Sequence, residues 1–416
     1  MDINKGKNFS KGNKQSGITL VALVVTIVVL LILAGISITL VLDNNGIIKK
    51  SGEGKDKYSN ASANEQEQLD TADSDIDKIL GIDKSEFGKI KSSGNYVEEN
   101  KTVKDKNGDT VVIPKGFKVA EDSGSSVIEG VVIEDDDIFN GRGNQYVWVP
   151  VTKDANGDAT TPYLDSGTLS NGKEIQLDRY YFNWQDGSKH GVGTGNMIIY
   201  SNYGTKYGIT PWWYAREELI EEGTSEKESI VNFKISAVAN GGYYIARYEA
   251  SYGTDGKANS RISTDNSDTT EELKKGTLWN YINQTDAISA CENLYVETNS
   301  YLTNSYAWDT AIVYIQECSS VSDYSIWTTK NTDLANTGTN GDAQCKINDM
   351  SGNLGEWTTE MMYPTYYGTY NGAISRGGRF TKTSYYTSFR GEDKSYYEAD
   401  VADTSEDVGF RAILYI

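Results

Sequence analysis

The 416-residue chain has one histidine, three cysteines and five prolines, and each shortage removes a class of chemistry. His190 lies in the turn-like stretch "DGSKHGVG", and no G-x-S-x-G elbow accompanies it. A Ser-His-Asp triad is therefore unsupported, and a solvated loop histidine is the reading. Cys291, Cys318 and Cys345 are odd in number and form no C-x-x-C, which excludes a zinc ribbon and a dense disulfide framework. Two readings stay open for them: Cys318 paired with Cys345, or two or three buried thiols acting as small apolar residues. Positive charge is also scarce, with 39 Lys and Arg against 59 Asp and Glu and a formal charge of −20. That balance argues against nucleic acid or an anionic lipid surface as a partner. No G-x-x-x-x-G-K-[ST] phosphate loop occurs, and Asp135, Asp136 and Asp137 read as a solvated charge run. Few prolines beside 41 Gly and 29 Tyr favour mixed or β-rich structure over a helical bundle.

What the chain does have is one long apolar run. "ITLVALVVTIVVLLILAGISITLVL", Ile18 to Leu42, carries no charge. As a helix at ~1.5 Å per residue it reaches roughly 37 Å, enough to cross a hydrocarbon core of about 30 Å with tilt. It is longer than the apolar part of a secretory signal, and "DNNG" follows it in place of an A-x-A cleavage site, so a permanent single-pass helix is expected. Lys5, Lys7, Lys11 and Lys14 precede it and orient the tail to the cytoplasm, with the rest of the chain outside the cell.

A basic leader ending at Gly17 followed by "ITLVALVV" resembles a type IV prepilin start. The resemblance implies cleavage after Gly17, N-methylation of Ile18 and assembly with other pilin-like subunits. Thr19 and Leu20 fit the family pattern, whereas Ala22 stands where the family usually has glutamate. An uncleaved signal anchor has the same topology.

The organisation expected is a leader over 1–17, a transmembrane helix over 18–42, a stalk helix and linker over 43–109, and a head over 110–416. The stalk helix is read from the partial helical spacing of "EQEQLDTADSDIDKIL", and 81–108 reads as a polar linker. Within the head, "VVIP", "QYVWVPV" and "YYIARYEAS" are strand-like. Thr210 and Pro211 open a helix through "PWWYAREELIEE", 226–239 forms a second ending at "NGG", Thr285 opens a third, and "YAWDTAIVYIQE" forms a fourth. The fold class is α+β, and no clean repeat period supports a solenoid or propeller.

Four short pieces near the C-terminus occur in order: "NDMSGNLGEW", "SRGGRF", "SFRG" and "VGFRAILYI". Their glycines permit close backbone approach, Arg376 and Arg411 are suited to pinning loops, and Trp357 and Phe410 supply core area. Asp349 and Glu356 lie seven apart around Gly352 and Asn353, so a bent loop would aim two carboxylates at one hard cation, for which calcium is the expected ion. The alternative is that Glu356 is a buried acceptor for one of the arginines.

Together with "DAISACENL" and "SYAWD" upstream, these pieces resemble the formylglycine-generating enzyme, or sulfatase-modifying factor, family, whose domain is C-type-lectin-like. The resemblance implies calcium held by Asp349 and Glu356 with backbone oxygens of Gly352 and Leu354, although Gly355 replaces the usual tryptophan. It also implies copper-dependent oxidation of a substrate cysteine through two thiolates in a C-x-R-x-R-C segment. Here that segment is "YTSFRG", with Tyr386 and Gly391 at the cysteine positions and Arg390 retained, so no copper is expected. The family's histidine-rich iron relatives are excluded by the single histidine.

The function expected is presentation of a non-catalytic head at a bacterial surface. Tyr385, Tyr386, Arg390, Tyr396 and Tyr397 are the candidate surface for a protein or glycan ligand, tyrosine giving rigid amphipathic contact. Two alternatives are an enzyme of the same family with an altered site and a filament subunit with no ligand.

Overall fold

The computed structural model describes residues 20–42, 83–136, 143–154, 156–157, 167–183, 186–191, 198–199, 214–216, 225–253, 256–263, 276–328, 332–362, 373–382, 386–392 and 404–416. The chain separates into two compact units, Met1–Ile82 and Asp83–Ile416.

In the first unit, α1 spans Leu20–Leu42, 23 residues without a charge. Leu20 to Leu33 expose their aliphatic side chains, and the hydroxyl of Thr26 donates to the Ala22 carbonyl at 2.7 Å, so the helix satisfies its own polar group. Its side chains are described through residue 34, and among the described residues no helix is long and apolar enough to cross a membrane. Gly17, Ile18 and the stalk segment lie outside the described residues.

The second unit is mixed α/β. Its helices are α2 (Glu86–Ser93), α3 (Ser225–Asn240), α4 (Gln284–Cys291) and α5 (Ser305–Cys318). In chain order the strands begin with β1 (Lys101–Lys104), β2 (Thr110–Ile113), β3 (Phe117–Val119), β4 (Val132–Asp135), β5 (Gln145–Pro150) and β6 (Tyr180–Phe182). They continue with β7 (Lys189–Gly191), β8 (Ile198–Ile199), β9 (Tyr214–Arg216), β10 (Gly242–Ala246), β11 (Ser251–Tyr252) and β12 (Ala258–Asn259). The last six are β13 (Asn299–Leu302), β14 (Gly355–Met362), β15 (Ala373–Arg376), β16 (Arg390–Glu392), β17 (Val408–Phe410) and β18 (Ala412–Tyr415).

One six-stranded sheet runs β13-β18-β10-β5-β4-β3, entirely antiparallel. A second runs β16-β15-β14-β9-β8, with β17 joining β14 in parallel. The central strand β5 buries Tyr146 through Pro150 without alternation, as expected where both faces of a strand are covered. Helix α5 packs against β5 and β14, and Ser305 through Ile315 are all buried. It starts where the Asn304 side chain accepts from the Ala307 amide at 2.9 Å, satisfying one of the free donors of the first turn. Tyr243 ties it to the first sheet by donating to the Ala307 carbonyl at 2.6 Å.

The expected strands at "VVIP", "QYVWVPV" and "YYIARYEAS" are present as β2, β5 and β10 with β11. The helix expected over 226–239 is α3, closed by Gly241 at φ +71°. Three expectations change. The 81–108 segment is folded: α2 is capped by Ser85, whose side chain accepts from Gly88 N at 3.0 Å, and β1 pairs with β2. Phe87, Val97 and Val103 are buried and Ile90 packs partly buried against the same core, which is why a polar segment still packs. The helix expected from Pro211 is instead the strand β9 at Tyr214–Arg216, paired with Met361 and Met362. Asp135 is buried, taking hydrogen bonds from the Gly143 and Asn144 amides, the Asn144 side chain and the Tyr295 hydroxyl. Burial raises its carboxyl above the usual range, and those donors oppose the shift.

Candidate functional site

Two buried charge clusters lie where the C-terminal strands meet α5 and the loop before β14. In the first, Asp309 from the middle of α5 and Glu360 from β14 face Arg376 of β15, Arg390 of β16 and Arg179 next to β6. Arg376 donates to Asp309 Oδ1 at 2.5 Å and to Glu360 Oε2 at 3.4 Å. Arg390 donates to Asp309 Oδ2 at 2.5 Å and through Nε to Glu360 Oε1 at 2.8 Å. Arg179 reaches Glu360 Oε1 at 3.2 Å. Two carboxylates thus face three guanidinium groups with no exposure at either acid. Burial alone would raise the Glu360 carboxyl, but Arg390, Arg376 and Arg179 outweigh it and hold the group below the usual carboxylate range. Burial, then neighbouring Arg390, lowers Arg376.

The second cluster surrounds the "NDMSGNLGEW" segment. Arg411, between β17 and β18, forks onto Glu356, donating through Nε to Oε2 at 2.5 Å and through Nη2 to Oε1. The same guanidinium donates to the carbonyls of Ala246 at 3.1 Å and Asn348 at 2.9 Å. Asp349 accepts from the Thr337 hydroxyl at 2.8 Å, the Gly338 amide at 2.5 Å and the Asn340 side chain at 3.0 Å. Glu249 accepts from the Leu354 amide at 2.8 Å and the Asn353 side chain at 2.6 Å. Asp342 accepts from the Asp349 amide at 3.0 Å. Burial raises Glu249, Glu356 and Asp342 in turn, each helped by neighbouring carboxylates, and Asp342 is pushed up to about 6. The Trp308 ring joins the clusters: Arg376 and Arg411 lie 5.7 and 5.9 Å from its centroid.

These partners bear on the expected calcium ligands. Asp349, Gly352, Leu354 and Glu356 are all buried, but both Glu356 oxygens face a guanidinium and both Asp349 oxygens accept protein donors. A dication beside Arg411 would be repelled, so these residues as arranged do not fit a calcium ion. Among the described residues no group of three or more His, Cys, Asp or Glu is placed to hold a metal. The buried-acceptor alternative for Glu356 is the arrangement observed.

The expected binding surface changes as well. Arg390 is 6% exposed and committed to Asp309 and Glu360, so it is a framework residue, not a surface one. Tyr386 is half-buried and bridges Thr328, while Tyr385, Tyr396 and Tyr397 lie outside the described residues. At Gly391, a Cβ would sit 3.0 Å from the Phe389 ring, 3.1 Å from Arg379 Nη2 and 3.3 Å from Ser375 Oγ. The groups around that position are a ring, a guanidinium and a hydroxyl. His190 lies on β7, opposite Tyr181 of β6. Sequence reasoning passed over Asp309, Glu360, Asp342 and Glu249. A charged residue inside the apolar helix "YAWDTAIVYI" was the signal available for Asp309, because an acid is rarely buried there without a cationic partner.

No curated protein and no solved structure matches the chain. The family model of the sulfatase-modifying factor enzyme 1-like domain matches residues 292–416, the stretch that supplies α5, β14 to β18 and most of both charge clusters. The mixed α/β architecture is consistent with the C-type-lectin-like fold of that family, and residues 292–416 are similar to its domain.

Proposed function

We propose that the protein is a membrane-anchored, pilin-like surface protein that presents a catalytically silent formylglycine-generating-enzyme-like head to an extracellular protein or glycan ligand. The observation that carries the reading is the setting of Tyr386 and Gly391. These residues stand where the family's copper-binding cysteines are expected, and a Cβ at Gly391 would require Phe389, Arg379 and Ser375 to give by a few tenths of an ångström. Cys291 is buried on α4, Cys318 ends α5 and Cys345 stands in the turn between Gln344 and Ile347, so none lies in the segment that supplies the family's pair. Arg390, the remaining member of that segment, is neutralised by two acids.

The anchor reading rests on the uncharged run Ile18 to Leu42 and on the aliphatic side chains that α1 leaves exposed. Protease treatment of intact cells tests the presentation. The head is cleaved from outside if the reading holds, and a chain protected until the cells are lysed contradicts it.

An altered enzyme would need carboxylates able to exchange protons. Asp309 and Glu360 converge near Arg390, but three guanidinium groups hold them as ion-pair acceptors, and Glu360 is lowered in pKa, the wrong direction for a general acid.

A further inference from the structure

Helix α5 opens with donors that no described residue accepts. The Asn304 side chain caps it through Oδ1, which takes the Ala307 amide at 2.9 Å, and the Trp308 amide donates to the Asn304 carbonyl at 3.0 Å. The Ser305 amide, at the first helical position, is left without an intrahelical acceptor. Asn304 Nδ2 shares a carbon with the capping oxygen and is therefore held over the same first turn. It has no hydrogen-bond partner, and neither has Ser305 Oγ. Side chains on a helix lean toward its N-terminus, so the hydroxyl of the first residue projects to that end as well. Asn304 is 1% exposed and Ser305 is fully buried, so bulk solvent satisfies neither. A buried polar side chain without a partner is uncommon and points to a bound group.

The mouth of the helix is fixed in place. The Thr303 amide and hydroxyl donate to the Arg411 carbonyl at 3.1 and 2.8 Å, and the Thr303 carbonyl accepts from the Thr359 amide at 3.1 Å, which ties the approach to α5 to the start of β18 and to β14. The free amides of a first turn carry partial positive charge, equivalent to about half an elementary charge. Asp309, one turn along on the same face as Ser305, is bonded to Arg376 and Arg390, so its charge does not oppose an anion at the helix start. A water would accept from these donors but would find one acceptor there for its own hydrogens, Ser305 Oγ. Burial of both residues favours a monatomic ion over a phosphate or sulfate group.

We propose that the N-terminus of α5 is a halide site, taking chloride in physiological salt, held by the Ser305 amide, Ser305 Oγ and Asn304 Nδ2. The ion completes the cap of the helix that carries Trp308 and Asp309, and so links chloride to the stability of the first charge cluster.

Asn304→Asp separates the site from the cap. Aspartate keeps an oxygen for the Ala307 amide and is as good a cap as asparagine, but it replaces the Nδ2 donor with a carboxylate oxygen that repels an anion. The full-length chain in detergent is unfolded thermally in about 5 and about 200 mM sodium chloride, with ionic strength held constant by sodium gluconate. The expected result is a rise in Tm with chloride on the order of 2–4 °C for the parent and none for Asn304→Asp. An equal rise in both chains, or none in the parent, overturns the proposal. Parent crystals grown in sodium bromide give a readout that depends on no variant. An anomalous peak within reach of Ser305 N and Asn304 Nδ2 is expected, and water-like density without anomalous signal, or no density there, contradicts the site.

Discussion

Arg390 and Glu360 meet at 2.8 Å between neighbouring parts of one sheet, and neither side chain is more than 6% exposed. The segment that supplies catalytic thiols in the resembling family is here anchored through its arginine. Arg376 approaches the second Glu360 oxygen at 3.4 Å, so strands β14, β15 and β16 are joined through one carboxylate.

Removing that carboxylate's charge leaves Asp309, bonded to Arg376 and Arg390, as the one acid of the cluster against three buried guanidinium groups. Glu360→Gln is expected to lower unfolding free energy by about 3–5 kcal/mol, read from the denaturant midpoint. The Lys115–Glu297 pair, 2.7 Å apart and exposed on both sides, is the contrast, and Glu297→Gln should change stability by less than about 1 kcal/mol.

Asp342 sets a pH dependence of opposite sign to an ordinary paired acid. Its folded-state value, about 6, lies above the ordinary value of 3.8, so the folded chain holds the proton more tightly between those values. Its contribution to stability is present below pH 4 and is lost as pH rises through 6. Asp342→Asn keeps an oxygen for the Asp349 amide and removes the titration. The variant should gain on the parent by roughly 1–3 kcal/mol between pH 4 and pH 7 in urea titrations, and parallel pH profiles would refute the assignment.

Gly377 has φ +82°, and a Cβ there would lie 2.8 Å from the Met350 carbonyl and 3.2 Å from the Trp308 ring. Gly377→Ala therefore meets backbone strain and a steric clash at once, and a loss of about 2 kcal/mol or more is expected in thermal unfolding.

The elements that sequence patterns revealed are those with local causes. Trp308, Ile312 and Ile315 on one face mark α5, which Asn304 caps, and the unbroken apolar block of β5 marks a covered strand. What could not be read depends on distant partners. Tyr214–Arg216 follows a strong helix-start signal yet is a strand, because Met361 and Met362 pair with it from far along the chain. Asp309 could be flagged as out of place, but its partners Arg376 and Arg390 are 67 and 81 residues away. The same holds for Glu356: its spacing from Asp349 suggested a cation loop, and the cation it faces is Arg411, 55 residues on.

The prepilin reading predicts a defined mature end. Mass spectrometry of the protein from sheared cells should find a chain beginning at methylated Ile18. A chain retaining Met1 to Gly17 would leave a signal-anchored receptor in place of a filament component.

Catalytic silence is the central claim, and turnover tests it most directly. The full-length chain in detergent is mixed with copper(I), oxygen and a peptide bearing a sulfatase-type cysteine, and the peptide is followed by mass spectrometry. Unchanged cysteine at every time point, with an active family enzyme converting the same peptide in parallel, is the result predicted. Formylglycine appearing in proportion to the added chain would contradict it and return Tyr386, Arg390 and their surroundings to the status of an active site.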